Sequence, residues 1–431
     1  MRSRLVAAIL KINIVWLISV VLIGAQPVAA QSVHSKPKNI IILFADGTTN
    51  GQYEFGRYSS MQLRQQPFAI TDVVMAKGRY QLMKTESANY FVTDSAAAAS
   101  AMSTGYKVNN GAISITPDGK SPPTIMKLAK ESGKRIGLVS TAPIYDASPA
   151  AFSVHAKSRR DSESIVNQYL LLEPDVLMGG GLNYFLPKAI AGGKRQDDLN
   201  VVDAFKAKGY QYIDSPAGLQ SIQKRKVLGL FAEEDIDYEI DRNPQEMPSL
   251  SQMLAAGLKV LNSASAKDKG FVLFAENENT DSAGHQNDVP AGTNNYQNVG
   301  PTQLKMIERY TMSLKEFSEK FKAKAKEGAS SAELKLYLNV LLQEGYPGLV
   351  VDEDLKDKIV NQGQLEPNSN YLPSNILALA IAKQTGFYWG TSGHTPTPIT
   401  VAAIGPGSQI FQGVDDNTAF ASKLQSLIRH K

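Results

Sequence analysis

The sequence predicts an α/β protein: a three-layer α/β/α sandwich around a mostly parallel central sheet, with a helical insertion. Three observations carry this. Short apolar runs rich in β-branched residues recur at Asn39–Ala45, Ile136–Thr141, Val176–Met178, Phe271–Glu276 and Pro398–Ile404. Longer amphipathic stretches, Pro122–Ser132, Val202–Lys208 and Leu250–Ser263, lie between them. Strands alternating with helices build a parallel sheet covered on both faces. Polar clusters follow several of the runs directly, and the carboxyl ends of such strands are where ligands bind.

The first thirty residues read as a signal peptide. MRSR is a basic start, and Val6 to Gly24 is apolar apart from Lys11, Asn13 and Ser19. Val28-Ala29-Ala30 offers small residues to a peptidase, so cleavage is expected after Ala30 and export to the periplasm or the exterior. Residues 31–431 then form one catalytic domain, with no membrane span after cleavage. Within it, residues 303–387 differ in character. Lys305–Glu327 is charged and helical, and Leu334–Glu344, Leu355–Gln362 and Ser374–Lys383 are expected to be further helices. This part reads as a helical insertion or flap.

The net charge of the chain is +4, and Arg2, Arg4 and Lys11 of the leader account for most of it. The remainder carries no nucleic-acid or polybasic membrane signature. There is no cysteine, and a chain of 431 residues can stabilise its own core without disulfides. Thiol catalysis and Cys-ligated zinc are therefore excluded. Any metal must be held by histidine, carboxylates or hydroxyls, and only five histidines exist, at 34, 155, 285, 394 and 430.

Four polar clusters follow strands. Asp46-Gly47 ends NIIILFADGTTN and is by itself an ordinary turn. Asp146 and Ser148 end GLVSTAPIYDASPAA, where Ser148 before Pro149 also suits a helix N-cap. In FVLFAENENTDSAGHQND, Glu276 leaves an apolar strand, and Asp281 and His285 are four apart, on one side of a helical turn. Carboxylate plus imidazole suits zinc, and a further carboxylate suits magnesium. His394 precedes the last apolar run and supplies the third donor that a catalytic zinc requires. In FVTDSAAAASAMSTG, Ser95 sits where a helix starts. It reads equally as a helix cap and as a nucleophile whose phosphorylated form the helix N-terminus would stabilise. A serine hydroxyl needs a base or a metal to activate it, and no Gly-x-Ser-x-Gly elbow surrounds this one.

Together these segments resemble the alkaline phosphatases, from about Asn39 to the C-terminus. VTDSAAAASAMSTG is similar to the family's nucleophile segment, which implies Ser95 as the phosphoserine. LFADGTTN implies Asp46 as the carboxylate that bridges the magnesium and one zinc. STAPIYDASPAAFSVHAKSRRD implies Asp146 and Ser148 on the magnesium side and Arg159 as the phosphate-binding arginine. A guanidinium fork suits two phosphate oxygens. FAENENTDSAGH implies Glu276 on Mg2+, with Asp281 and His285 on Zn2+, and TSGHT implies His394 as the third ligand of that zinc.

One departure from the family stands out. Its members carry an apolar strand ending in an Asp-His pair that helps hold a second zinc beside the serine. This chain has no histidine between 286 and 393 and no Asp-His pair anywhere. Pro347–Asp352 is the nearest strand-like run, and it leads into Glu353-Asp354. A deletion of a few tens of residues accounts for this, and it would leave neighbouring strands with unpaired backbone groups and exposed apolar faces.

The resemblance implies a metal-dependent phosphomonoesterase. Ser95 would form a phosphoserine, Arg159 would orient the phosphoryl group, and small phosphate monoesters would be the substrates. A homologue that binds metal or phosphate without turnover is the alternative. A phosphodiesterase is a third reading, and the lack of cysteine argues against a Cys-derived sulfatase nucleophile. Many relatives are dimers, so a homodimer is an expectation by analogy alone.

Overall fold

The structure, a computed structural model, describes residues 36–263, 269–290, 295–296, 300–361, 374–389 and 391–429. The expected signal peptide lies outside them. In chain order the strands are β1 (Ile40–Ala45), β2 (Arg79–Lys84), β3 (Arg135–Pro143), β4 (Val176–Gly180), β5 (Gln211–Ile213), β6 (Val227–Leu230), β7 (Phe271–Asn277), β8 (Asn295–Tyr296), β9 (Phe387–Tyr388), β10 (Ile399–Ala403) and β11 (Gly413–Asp416). A six-stranded sheet runs in the order β1-β7-β3-β4-β6-β5. Every pairing in it is parallel, as the alternation of strands and helices predicts.

The interior strands are apolar at successive positions because both faces of the sheet are covered. On β7, Val272 and Phe274 join a core with the helices Ser95–Thr104 and Asn417–Ile428. Phe271, Leu273 and Ala275 point the other way, into a core with Met253, Val260 and Leu261 of the helix Leu250–Asn262. Burying a side chain of this size contributes about 1.5–3 kcal/mol. β1 departs from this pattern. Ile40 and Ile42 are buried, but Ile41 and Leu43 on its other face are 47% and 65% exposed.

The predicted strand at Pro398–Ile404 forms, as β10, but outside the parallel sheet. It is half-buried in a separate three-stranded sheet, β10-β2-β11, antiparallel to β2. Its apolar sequence gave no indication of this position. β2, β5, β6 and β11 are short or interrupted by polar residues, and they did not stand out in the sequence.

The region 303–387 is mainly helical. Lys305–Glu327, expected as one helix, is two: Pro301–Glu308 and Leu314–Lys326. The break has a physical cause at Ser313. Its backbone is extended and its hydroxyl accepts the amide of Glu316 at 2.9 Å. Its own amide is held by Asp241 Oδ1 at 2.9 Å, and the next amide, of Leu314, by Asp288 Oδ2 at 2.7 Å. A new helix therefore starts where the pattern suggested continuity. The helices Ser331–Gly345, Glu353–Val360 and Ser374–Thr385 follow, and Phe317, Leu338, Ile359 and Ile381 share one apolar cluster with Phe387. Among the described residues no helix is long and apolar enough to cross a membrane.

Ser313→Ala removes a fully buried cap. It is expected to lower stability by about 1 kcal/mol, read as the denaturant midpoint at unchanged slope.

Candidate active site

Strand register gathers the site. β7 lies between β1 and β3, with Phe44 and Ser140 both opposite Glu276. Asp46, one residue past β1, therefore stands beside Glu276 and the end of β3. Glu276 is 1% exposed, and its Oε2 accepts the Ser140 hydroxyl at 2.7 Å. The Ser148 hydroxyl also stands by this carboxylate and favours its charged form, while Oε1 is buried and has no hydrogen-bond partner among the described residues. Burial, and then the charge of Asp46, raise the Glu276 pKa. Burial and the charge of Asp281 raise that of Asp46, against a stabilising hydrogen bond from Ser95.

Ser95 is half-buried at the first position of the helix Ser95–Thr104. The N-cap is Asp94, not Ser95. Asp94 Oδ1 accepts the amide of Ala97 at 2.9 Å, which leaves the Ser95 hydroxyl free to face Asp46. Of the alanines after Ser95, Ala96, Ala97 and Ala99 are buried, with Ala96 and Ala99 in the core shared with the C-terminal helix. Ser148 is likewise not a cap. Asp146 holds that position in the short helix Ala147–Ala151, without a side-chain bond, and Ser148 is 98% buried inside it. Asp146, expected on the magnesium side, gives both oxygens to Arg159 Nη2, at 3.1 and 3.3 Å. Arg159 Nη1 lies 3.6 Å from Asp94 Oδ2, which also accepts the amide of Gly111 at 2.9 Å. The place of Asp94 at the guanidinium is not among the expectations from sequence. Its position directly before the serine was the available signal.

Asp281 and His285 share one side of the helix Asn279–Gln286, and His394 comes from the loop before β10. The Nε2 atoms of His285 and His394 each lie 3.3 Å from a different oxygen of Asp281. Both Nδ1 atoms face carbonyls, Ser392 at 2.6 Å and Thr93 at 2.9 Å. A carbonyl only accepts, so each Nδ1 carries a proton, and a neutral ring offers its Nε2 lone pair to the centre of the cluster. Ligand atoms of the three residues lie within 4.8 Å of one another, and among the described residues they form the one cluster of three histidine or carboxylate side chains close enough to share an ion. Gly47 has φ +62°, and a Cβ there would collide with the Asp281 carboxylate, so the Asp-Gly pair serves close approach as well as the turn.

Without a cation the cluster is held by charge. A hydrogen bond donated to Asp281 lifts the His394 pKa from 6.5 to about 9, and the same carboxylate also raises that of His285. Burial alone would raise Asp281, but the two imidazoles outweigh it and hold its carboxyl below the usual range. Two neighbouring acids have other roles. Glu278 Oε1 accepts the Ser282 hydroxyl at 2.8 Å, and burial with nearby Asp235 pushes its pKa up to about 9. Asp288 is buried against the amide of Leu314.

In chelator, the pairs of Asp281 with His394 and His285 stabilise the fold fully below the unfolded histidine pKa of 6.5. For His394 that contribution disappears as pH rises through about 9. The melting temperature of the chelated protein is expected to fall across that window, and His394→Ala to flatten the decline. An equally steep decline in both proteins would contradict the assignment.

The similarities to known proteins agree with this geometry. A sequence model described as alkaline phosphatase matches residues 37–300. Alkaline phosphatase 3 of Bacillus subtilis is 29% identical over 434 residues, 91% of this chain and 89% of that protein. The crystal structure of Thermus thermophilus alkaline phosphatase superposes with a TM-score of 0.81 at 24% identity, covering 95% of this chain and 96% of that one. A mutant of alkaline phosphatase from the Antarctic bacterium TAB5, described with Mg bound in its M3 site, gives 0.59 at 23% identity, covering 92% and 99%. With the family model spanning more than half of its residues, the chain belongs to the alkaline phosphatase family, whose members are phosphoric monoester hydrolases.

Proposed function

We propose that this protein hydrolyses phosphate monoesters through a phosphoserine on Ser95. The observation that carries the reading is a single cavity lined by Ser95, Asp46 and Ser148 together with Asp281, His285 and His394. Asp281, His285 and His394 would hold one zinc ion, supported by the inward Nε2 atoms. Asp46, Ser148 and Glu276 would hold magnesium, supported by the buried, unpartnered Glu276 Oε1. Bound there, the ions supply Lewis acidity to the leaving oxygen and to water.

The residues do the rest. Asp46 accepts the hydrogen bond of the Ser95 hydroxyl and orients Oγ. Oγ attacks phosphorus in line with the leaving oxygen, forming Oγ–P as the ester P–O bond breaks; the hydroxyl proton passes to solvent and the departing alkoxide takes one up from it. Amides at the helix start and the helix dipole stabilise the charge on the phosphoryl oxygens. Arg159, steadied by Asp146 and Asp94, donates two N–H groups to those oxygens. Water then attacks phosphorus, the P–Oγ bond breaks, and the serine recovers its proton. The leader suggests that this takes place in the periplasm or outside the cell.

One observation favours the second reading, a homologue that binds but does not turn over. A second zinc does not fit the residues present. Beside Ser95 stands Asp46, and no Asp-His pair exists in the chain to join it. No step is therefore routed through such an ion.

With zinc and magnesium added, the native protein is expected to hydrolyse p-nitrophenyl phosphate and Ser95→Ala to fall to background. Equal background rates in both would leave only the second reading. Arg159→Ala is expected to lower kcat/KM by about 10- to 100-fold, the value of a lost charged hydrogen bond. Elemental analysis of dialysed protein is expected to give about one tightly held zinc per chain. Two would contradict the account of the second site.

A further inference from the structure

Three parts of the site depend on one short stretch of backbone, Val92–Asp94. The Thr93 carbonyl accepts His394 Nδ1 at 2.9 Å. The Asp94 carboxylate caps the helix that begins with Ser95 and lies 3.6 Å from Arg159 Nη1. Ser95 itself is the next residue. Yet the stretch belongs to no helix or strand. It has no ladder of backbone bonds to set its shape, so its donors and acceptors must find partners elsewhere.

Asn110 supplies them. Its side-chain Oδ1 accepts the amide of Asp94 at 3.2 Å, and its Nδ2 donates to the Val92 carbonyl at 3.1 Å. A planar amide makes both bonds only in one orientation, and a backbone N–H facing one end and a carbonyl the other leave no choice of which end is oxygen. A turn asparagine commonly bonds its own backbone two residues on. This one reaches residues 16 and 18 positions earlier. Its own backbone amide donates to Asn89 Oδ1 at 2.9 Å, on the far side of the stretch.

The next residues carry the tie to the arginine. The Gly111 amide donates to Asp94 Oδ2 at 2.9 Å, and the Gly111 carbonyl accepts the amide of Arg159 at 2.7 Å. Gly111 holds φ +84°, where a side chain would be strained. Ile113 and Ala156 then exchange both backbone bonds, at 2.9 and 3.0 Å. The loop 110–113 therefore stitches the serine segment to the arginine segment.

We propose that Asn110 is a positioning residue of the site: through Val92–Asp94 it holds the Ser95 hydroxyl and the Arg159 fork at the spacing that one phosphoryl group requires. It acts through the backbone and touches neither phosphate nor metal. The inference rests on the roles given to Ser95 and Arg159 above. A displacement of about 1 Å in such a site costs on the order of 100-fold in rate.

The test compares the full chain, loaded with zinc and magnesium, with two variants. Asn110→Ala is expected to lower kcat for p-nitrophenyl phosphate, and to weaken binding of inorganic phosphate in calorimetry, by about tenfold or more each. Asn110→Asp keeps the shape and the acceptor for Asp94 but sets an oxygen against the Val92 carbonyl. It is expected to be as impaired as Asn110→Ala, which lost packing alone would not produce. Thr116→Ala removes a bond to the Lys120 amide in the same loop without touching Val92–Asp94, and is expected to keep native kcat and phosphate affinity. Should Asn110→Ala fold poorly, Gly111→Ala makes the same test from the backbone. A Cβ there meets no atom within 4 Å, so only the strained φ acts, and the same losses are expected. Native kcat and phosphate affinity in Asn110→Asp would overturn the proposal. Phosphate binding without turnover, weakened in Asn110→Ala, would sink the chemistry at Ser95 and uphold the role of Asn110. A native chain that binds no phosphate would overturn both.

Discussion

The parallel pairing of β7 between β1 and β3 is the constraint from which the site follows. A parallel sheet brings the carboxyl ends of its strands to one edge. The register of these three sets Phe44, Glu276 and Ser140 side by side. Asp46 is then one residue beyond, and the turn into the helix Asn279–Gln286 brings Asp281 against Gly47. A one-residue slip of β7 would turn Glu276 to the opposite face and dissolve the arrangement. The apolar residues on both faces of β7 prevent that slip, so core packing and site geometry are the same interaction.

The charge pattern carries the chemical meaning. Asp46, Glu276 and Glu278 are all held above their ordinary pKa values, chiefly by burial. Acids desolvated together are costly unless a positive charge joins them. Around Asp281 the two imidazoles can provide that charge themselves. Around Glu276 the nearby donors are the hydroxyls of Ser140, which satisfies Oε2, and Ser148, and among the described residues Oε1 has no hydrogen-bond partner. This asymmetry is what a divalent cation would relieve. Arg159 is paired with Asp146 and Asp94, a geometry that fixes the orientation of its fork.

The chain also carries a break in an otherwise continuous plan. The sequence lacks the apolar strand with an Asp-His pair that its family would have. In the structure the central sheet ends at β1 and a second sheet begins at β10, and both strands line the cavity that holds Asp46, Asp281 and His394.

Much of this was written in the chain itself. The parallel core strands, the placement of Asp281 and His285 one helical turn apart, and the serine at a helix start all follow from local periodicity and spacing, which depend on near neighbours alone. Tertiary structure decided what depends on distant partners. It made Asp94 rather than Ser95 the helix cap and Ser148 a donor to Glu276. It split the expected helix at Ser313, because Asp241 and Asp288 approach from elsewhere in the chain. It set β10 in a sheet of its own, since a strand's sequence shows that it is apolar but not whose backbone it will find.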